Sequence, residues 1–211
     1  IMYSYSPNML KTFADCPYKY YLKYIRKISI PQPASYFEKG KKIHALANYY
    51  LRGDDISKII KGLNEEEMTV WNMLFNNEFF QMSYVKSEYN LSCKIGEFWI
   101  GGRLDALMRN GEDYYILDYK TGSIPKNPQQ DFQTMVYLIC ADRKLKQYNS
   151  LRFVYIDLKN NHNEVIELTP ETRKDYEKTL EEVCKYISYT EEYPQKPERC
   201  RFCEYLKMCN F

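Results

Sequence analysis

The chain has 211 residues, of which 45% are hydrophobic and 16% aromatic, and its formal net charge is +2. This composition excludes a disordered or low-complexity chain and favours a single globular domain with a buried core. The sequence has no apolar run of membrane-spanning length, and its first residues lack the basic and apolar blocks of a signal peptide, so we expect a cytoplasmic protein with no membrane association.

Three helices are predicted in the first 80 residues. Ser6 and Pro7 suit the N-cap and the first position of a helix, and apolar residues follow at helical spacing. A second apolar stripe ends near Gly53, and a third surrounds Trp71. The stripes consist of Leu10 and Phe13; of Phe37, Gly40, Ile43, Ala47, Tyr50 and Leu51; and of Met68, Trp71, Phe75 and Phe79.

Charge is distributed unevenly over these elements. Between Lys11 and Lys42, eight basic and two acidic residues give a net charge of +6, whereas nine acidic and four basic residues between Glu164 and Glu192 give −5. Tyrosines alternate with lysines in the basic segment, a combination that suits a nucleic-acid backbone and stacked bases. An ordinary solvated surface explains the pattern equally well. The candidate DNA contacts are Lys19, Tyr20, Lys23 and Tyr24.

The central part of the sequence predicts a three-stranded meander. Residues 84–94 and 97–108 have strand character around the turn Ile95-Gly96, and Asn110-Gly111 predicts a tight hairpin into a strand at 113–119. Asp105 lies on the second of these strands and Asp118 on the third.

The remaining elements complete an α/β order. Residues 129–142 have a helical pattern and residues 151–157 form a fourth strand, which predicts a right-handed crossover. Asn160-Asn161 predicts a turn that includes His162 and leads into an edge strand at 164–168. Thr169, Pro170 and Glu171 begin a last helix, with an apolar stripe of Tyr176, Leu180, Val183 and Ile187.

The tripeptide Asp118-Tyr119-Lys120 follows an apolar run, and Asp105 precedes it in Gly102-Arg103-Leu104-Asp105-Ala106. Alternate residues of a strand share a face, so we expect Asp118 and Lys120 to lie in one cleft. A carboxylate that holds a divalent cation beside an ammonium group suits phosphodiester hydrolysis. Taken alone, the tripeptide is more typical of a salt pair on a solvated strand.

Several motifs in order resemble the RecB-like branch of the PD-(D/E)XK nuclease superfamily. The resemblance covers nearly the whole chain and implies an α/β fold with a restriction-endonuclease-like core, in which helices flank a central mixed sheet. It also implies N- and C-terminal segments joined by a four-cysteine metal site. The matching motifs are residues 5–10 with 16–21, the helical histidine motif 40–46, motif II at 102–106, motif III at 117–122, and Gln133-Thr134-Met135-Val136-Tyr137.

The resemblance implies a role for each site residue. Asp105, Asp118 and the carbonyl of Tyr119 would bind Mg²⁺ or Mn²⁺, with His44 as a further ligand. Lys120 would position the attacking water.

Gln133 and Tyr137, four residues apart on one helix face, would contact the strand being cut or brace Lys120. The competing interpretations are a satisfied core position for His44 and an ordinary helix surface for Gln133 and Tyr137. Glu88 is not assigned to the site.

The seven cysteines divide into two groups. Cys93, Cys140 and Cys184 lie within predicted strands or helices and are interpreted as buried hydrophobic residues. The other four are Cys16, Cys200, Cys203 and Cys209. Four thiolates suit a tetrahedral zinc site or an iron–sulfur cluster, and spacing excludes neither. Disulfides are less expected in an intracellular protein.

The resemblance favours an iron–sulfur cluster, in its 4Fe-4S form, as found in CRISPR-associated and AddB-type nucleases of this branch. Zinc and a metal-free site are the alternatives. By analogy with disulfides, closing so long a loop would stabilise the fold by roughly 2–5 kcal/mol.

The resulting hypothesis is a single nuclease domain over residues 1–211, acting as a DNA exonuclease that prefers single strands or single-stranded ends. Within it, residues 1–35 would carry the first cluster ligand and the DNA-contact helices, 36–169 the catalytic core, and 170–211 the last helix and cysteine cluster. The alternative is a DNA-end binding or trimming module for a partner such as an integrase or helicase. DNA repair, CRISPR adaptation and viral DNA processing all remain open.

Overall fold

The computed structural model describes residues 4–31 and 35–209, with the backbone alone for residues 35–39. Phe37 of the predicted second stripe therefore lies outside the described side chains. Within the described residues, six strands form one mixed sheet. The strands are β1 (Ser4–Tyr5), β2 (Ser83–Ile95), β3 (Phe98–Asn110), β4 (Asp113–Lys120), β5 (Ser150–Asp157) and β6 (His162–Glu167).

Helices cover both faces of this sheet, and shorter turns follow some of them. The helices are α1 (Pro7–Asp15), α2 (Pro17–Tyr20), α3 (Ser35–Leu51), α4 (Ser57–Lys61), α5 (Glu65–Phe75), α6 (Phe132–Leu145) and α7 (Pro170–Tyr189). A π-helical turn (Tyr21–Ile25) continues α2, and 3-10 turns (Pro197–Phe202 and Leu206–Met208) follow α7. None of the helices in the described part of the chain is both long and apolar enough to span a membrane.

The sheet order places β3 and β4 at the centre. β3 pairs with β2 in an antiparallel hairpin, and with β4 in a second one. β4 and β5 are parallel and are joined through α6, which confirms that this connection is a crossover, while its predicted right hand stays a prediction. β6 forms the antiparallel edge. Gly96 and Gly111 have φ angles of +54° and +61°, so both predicted hairpin turns use the left-handed conformation that glycine adopts without strain.

Two apolar cores hold the layers together. The core on one face joins α1, α6 and α7 to the sheet through residues such as Leu10, Val136 and Leu180. The opposite core joins α3 and α5 through residues such as Leu46 and Leu74. The expected α/β architecture, a mixed central sheet flanked by helices, is therefore confirmed.

The helix starts follow their capping residues. The Ser6 hydroxyl accepts a hydrogen bond from the Met9 amide at 3.2 Å, which confirms the predicted start of α1. Thr169 caps α7 as predicted, with Thr172 as its reciprocal partner. Asp131 accepts from the Gln133 amide at 2.9 Å, so α6 begins at Phe132 and the prediction of a start at residue 129 was wrong.

Three further details differ from the sequence interpretation. Phe79 lies beyond the end of α5, in a turn that returns its ring to the core at 5.6 Å from the ring of Tyr115. His162 is the first residue of β6 rather than a turn residue, because it pairs with Asp157. The sequence interpretation also missed β1, whose Ser4 and Tyr5 pair in parallel with β3.

Candidate active site

The site lies where β3 and β4 separate. Their ladder ends at the pair Ala106 and Leu117, and beyond it the Asp105 carboxylate accepts a hydrogen bond from the Tyr119 amide at 2.8 Å. A side chain thus replaces the missing backbone partner. Asp118 and Lys120 contact α6, whereas Asp105 contacts α3, so the opening between the strands brings both faces of the sheet to one site.

On the α6 side, three side chains form a closed triangle. The Lys120 ammonium lies 2.9 Å from Oδ2 of Asp118 and donates to Oε1 of Gln133 at 3.1 Å. Gln133 completes the triangle by donating from Nε2 to Oδ1 of Asp118 at 2.6 Å. Gln133 thus braces Lys120, one of the two roles considered for it.

The Asp118 carboxylate is destabilised by its surroundings. It is 6% exposed, and within the described residues its Oδ2 has the ion pair with Lys120 but no hydrogen bond of regular geometry. Burial raises the pKa of Asp118 to about 6, against the opposing effect of Lys120 and with a further contribution from the charge of Asp105. A second cation beside Asp118 would stabilise its charged form.

Lys120 remains an ammonium ion despite its burial. Desolvation lowers its pKa, but the charge and hydrogen bond of Asp118 outweigh that effect, and the pKa is raised overall. Lys120 is therefore suited to neutralise or orient, and not to remove a proton at neutral pH.

On the α3 side, His44 lies between two oxygen atoms. Its Nδ1 is 3.2 Å from Oδ1 of Asp105, and its Nε2 is 2.9 Å from the carbonyl oxygen of Tyr119. Burial lowers the pKa of His44, but Asp105 outweighs that effect and the pKa is raised overall. A neutral imidazole has one proton for two acceptors, so this arrangement favours either a second proton or a metal ion.

The donor atoms near β3 and β4 therefore suit a hard divalent cation. Carboxylates of Asp105 and Asp118, the Tyr119 carbonyl and the His44 imidazole match the ligand types that Mg²⁺ and Mn²⁺ accept. Even so, no group of three or more His, Cys, Asp or Glu side chains among residues 4–31 and 40–209 is already arranged to hold a metal ion. The side chains instead bind one another.

Tyr137 occupies a different place from Gln133, although both lie on α6. Its hydroxyl donates to the Arg103 carbonyl at 3.0 Å, and the side chain is 6% exposed. A Cβ atom on Gly102 would lie 2.7 Å from this hydroxyl, so the glycine allows close approach. Tyr137 therefore anchors α6 to β3.

A cavity of about 650 Å³ opens beside His44 and Asp105. Its wall includes Arg103 and Glu88, which the sequence interpretation did not assign to the site. The register of the β2–β3 hairpin, with a two-residue turn after Ile95, places Glu88 opposite Asp105. That register was the signal from which Glu88 could have been found.

The four distant cysteines lie around one cavity, but the predicted four-cysteine metal site stays a prediction. Cys16, Cys200, Cys203 and Cys209 line one cavity of about 140 Å³ between α2 and the C-terminal 3-10 turns. Each is a free thiol. Burial and the neighbouring thiols raise the pKa values of Cys200 and Cys209. As noted, the described thiols do not form a ready metal-holding group.

The other three cysteines are buried, as expected. Cys140 donates a weak hydrogen bond to Cys93, with 3.2 Å between the sulfur atoms, and Cys184 lies in the same core.

Some of the predicted DNA contacts are accessible to solvent, and others already pack in the core or form an ion pair. Tyr20 is 3% exposed and packs against Phe13, so its assignment as a base-stacking residue was wrong, because its ring belongs to the core. Lys19 pairs with Glu204 at 2.8 Å. Lys23 is exposed and Tyr24 partly exposed, and the Lys23 ammonium lies 5.5 Å from the centre of the Tyr24 ring.

Comparison with known proteins identifies a family whose model matches this chain. A family model described as the PD-(D/E)XK nuclease superfamily matches residues 4–210. A search of curated proteins returned no match.

Two solved structures are similar over most of the chain. One is the crystal structure of a "putative exonuclease" from Eubacterium rectale, with a TM-score of 0.61 and 10% identity, covering 98% of this chain and 88% of that one. At this identity the likeness concerns the fold alone. The crystal structure of SSO0001 has a TM-score of 0.44 and 17% identity, covering 98% and 85% of the respective chains.

Proposed function

This chain belongs to the PD-(D/E)XK nuclease superfamily, and we propose that it is a divalent-metal-dependent deoxyribonuclease of the RecB-like branch. The observation that carries the proposal is the convergence of Asp118, Lys120 and Gln133 beside the Asp105–His44 pair. The name of the Eubacterium rectale protein makes an exonuclease the first activity to test. We further propose a preference for single strands or single-stranded ends.

Asp105, Asp118, the Tyr119 carbonyl and His44 would hold Mg²⁺ or Mn²⁺. When bound, this ion would lower the pKa of a water molecule and polarise the phosphate. Two observations support the assignment. The Asp118 carboxylate is buried and its pKa is raised, and His44 faces two acceptor oxygens. A bound cation would stabilise the charged carboxylate and would offer the imidazole and the oxygens a common partner. Asp105 and His44 would have to exchange their present contact for metal binding.

The remaining side chains position the reaction. Lys120, as an ammonium ion, would orient the attacking water or neutralise charge that develops on the phosphate. Gln133 holds Asp118 and Lys120 at fixed separation, which limits their rearrangement. Water would attack phosphorus in line and give up one proton to solvent. The new P–O bond would form as the bond to the 3′ oxygen breaks, and the 3′ oxygen would take up a proton from solvent.

The cysteine cavity would hold a 4Fe-4S cluster, with zinc as the alternative. Four thiols line one small cavity, and burial together with the neighbouring thiols raises the pKa values of Cys200 and Cys209. Bound metal would stabilise this arrangement by favouring thiolates. The proposed role is structural, since the site would tie residue 16 to residues 200–209. Protein purified without oxygen should be brown, with iron and no stoichiometric zinc, whereas colourless protein with one zinc per chain would identify the alternative.

The activity test uses purified protein with Mn²⁺ and oligonucleotides labelled at either end. We expect stepwise shortening of single-stranded DNA and slower shortening of blunt duplex, with the labelled end giving the polarity. Internal cuts in a closed single-stranded circle would replace the exonuclease proposal with an endonuclease.

The second candidate is a DNA-end binding or trimming module with little activity of its own. The modest net charge of +2 favours it, because a free-standing nuclease gains affinity from a more basic surface. The same oligonucleotides distinguish the two functions: DNA that is bound in Mn²⁺ but left intact supports the module, and cleavage restored by an integrase or helicase would identify its partner.

A further inference from the structure

Glu88 has a strained backbone in the wall of the candidate active site. Its φ angle is +47°, although it lies within the long strand β2. A residue other than glycine in this conformation costs on the order of 1 kcal/mol. The neighbouring pairs Ser87–Ala106 and Tyr89–Leu104 bracket it, and the register slips nearby between Tyr84 and Lys86. Strand irregularities of this kind re-aim side chains near functional sites.

The re-aimed Glu88 carboxylate holds Arg103. The Nε atom of Arg103 lies 2.8 Å from Oε2 of Glu88, and the two side chains are 63% and 27% exposed. Among the described residues, Glu88 is the one acid within ion-pair distance of Arg103. Because guanidinium has five donors, a contact through Nε leaves the terminal nitrogens for another anion.

Arg103 is close to the proposed chemistry. It lies two residues before Asp105 on β3, a separation of about 6.6 Å between Cα atoms, and both residues line the same cavity as His44. This distance is on the scale of the spacing between successive phosphates of one DNA strand.

We propose that Arg103, oriented by Glu88, binds a backbone phosphate adjacent to the scissile one. The inference rests on the proposed function and adds a phosphate-binding group to it. The guanidinium fork matches two phosphate oxygens, and Glu88 reduces the number of conformations that Arg103 samples before the strand arrives. A surface ion pair alone contributes little to stability, so it does not offset a strained backbone.

The first experiment compares Arg103→Ala with Arg109→Ala, which removes the same charge from the same strand outside the cavity. Affinity for a single-stranded oligonucleotide is measured in Ca²⁺, and cleavage in Mn²⁺. We expect Arg103→Ala to raise Kd and KM by about tenfold to a hundredfold, with a smaller change in kcat. The slope of log Kd against log salt should fall by about 0.7. Arg109→Ala should stay within about twofold of wild type, and Arg103→Lys should restore only part of the loss, because lysine lacks the fork.

The second experiment places one neutral methylphosphonate at successive linkages of the oligonucleotide. Wild type should lose affinity at one linkage beside the cleavage site, and Arg103→Ala should show no additional loss there. Equal effects of the neutral linkage in both proteins at every position would overturn the proposal.

Variants of Glu88 test the positioning role. Glu88→Gly suits the backbone conformation, so its Tm should stay within about 4 °C of wild type, as relief of strain and the entropy of glycine oppose each other. Its KM should nevertheless rise, and Glu88→Gln, which keeps an acceptor for Arg103, should recover part of the loss. An unchanged KM in Glu88→Gly would contradict the positioning role.

Failure of this inference is distinct from failure of the proposed function. If wild type cleaves DNA while Arg103→Ala cleaves with unchanged Kd and KM, the phosphate assignment alone is wrong. If wild type cleaves no DNA in Mn²⁺, the nuclease proposal fails, and the binding measurements in Ca²⁺ still decide whether Arg103 contacts phosphate.

Discussion

The active site and the cysteine cavity differ in how their titratable side chains are paired. At the active site, Asp118 pairs with the Lys120 ammonium, and Asp105 faces the His44 imidazole, whose pKa is raised. At the cysteine cavity, four similar thiols face one another between short turns, and the described chain provides no comparable pairing among them. Side chains of the active site therefore bind one another without metal, whereas the stabilisation of the cysteine cavity by bound metal is part of our proposal.

The largest expected effect follows from breaking the active-site triangle. Asp118→Ala or Lys120→Ala should reduce cleavage of single-stranded DNA by about 1,000-fold or more, because each removes a group proposed to act on the reacting phosphate. Circular dichroism should show an intact fold. Lys144→Ala, at the exposed end of α6, is the matched control and should retain activity. Wild-type rates in either active-site variant would remove that residue from the mechanism.

The next effect concerns the cysteine cavity. Cys200→Ser should lose bound metal and lower the free energy of unfolding by about 2–5 kcal/mol, by analogy with the removal of a long cross-link. Metal content and denaturant unfolding, both measured anaerobically, check this. Cys93→Ser changes a core thiol and should keep the metal. Loss of stability without loss of metal in Cys200→Ser would show that the thiol acts by packing alone.

A smaller effect should appear in the pH dependence of the metal-free protein. The pKa of Asp118 is raised to about 6 in the folded protein, above its ordinary value of 3.8. The associated stability is fully present below the ordinary value and is lost as the pH rises through 6.

Asp118→Asn should remove this dependence and, in the absence of metal, raise the free energy of unfolding at pH 7.5 by on the order of 2 kcal/mol. Thermal unfolding with EDTA at pH 4.5 and 7.5 provides the measurement. If Asp118→Asn is no more stable than wild type at pH 7.5, burial does not destabilise the Asp118 carboxylate as proposed.

The smallest change is expected when Tyr137 of α6 is altered, and it distinguishes this residue from Gln133. Tyr137→Phe removes the hydrogen bond to the Arg103 carbonyl and should cost about 1 kcal/mol of stability. Because Tyr137 acts on β3, cleavage should fall less than in Gln133→Ala, which breaks the triangle. Urea unfolding and initial rates are the two measurements. A larger loss of activity in Tyr137→Phe would reverse the roles assigned to these residues.

Sequence patterns predicted most of what depends on neighbouring residues. Asn110-Gly111 located the β3–β4 hairpin, and apolar spacing located α6 between two parallel strands. Placing Asp118 beside Lys120 required only the alternation of a strand.

Features that depend on contacts between residues far apart in the sequence were harder to predict from the sequence alone. The burial of Tyr20 results from packing against other helices, and the pairing of β1 joins residues nearly 100 positions apart. Glu88 required both the hairpin register and its local irregularity. The convergence of the four cysteines was predicted, but the identity of any bound metal depends on chemistry that spacing does not determine.

Metal-dependent hydrolysis at Asp118 is tested by the rate of single-stranded DNA hydrolysis as a function of Mn²⁺ concentration, measured beside calorimetric binding of Mn²⁺. We expect no hydrolysis in EDTA, and a rate that rises with the occupancy of a Mn²⁺ site that Asp118→Ala lacks. Hydrolysis in EDTA, or intact DNA when that site is saturated, would contradict it.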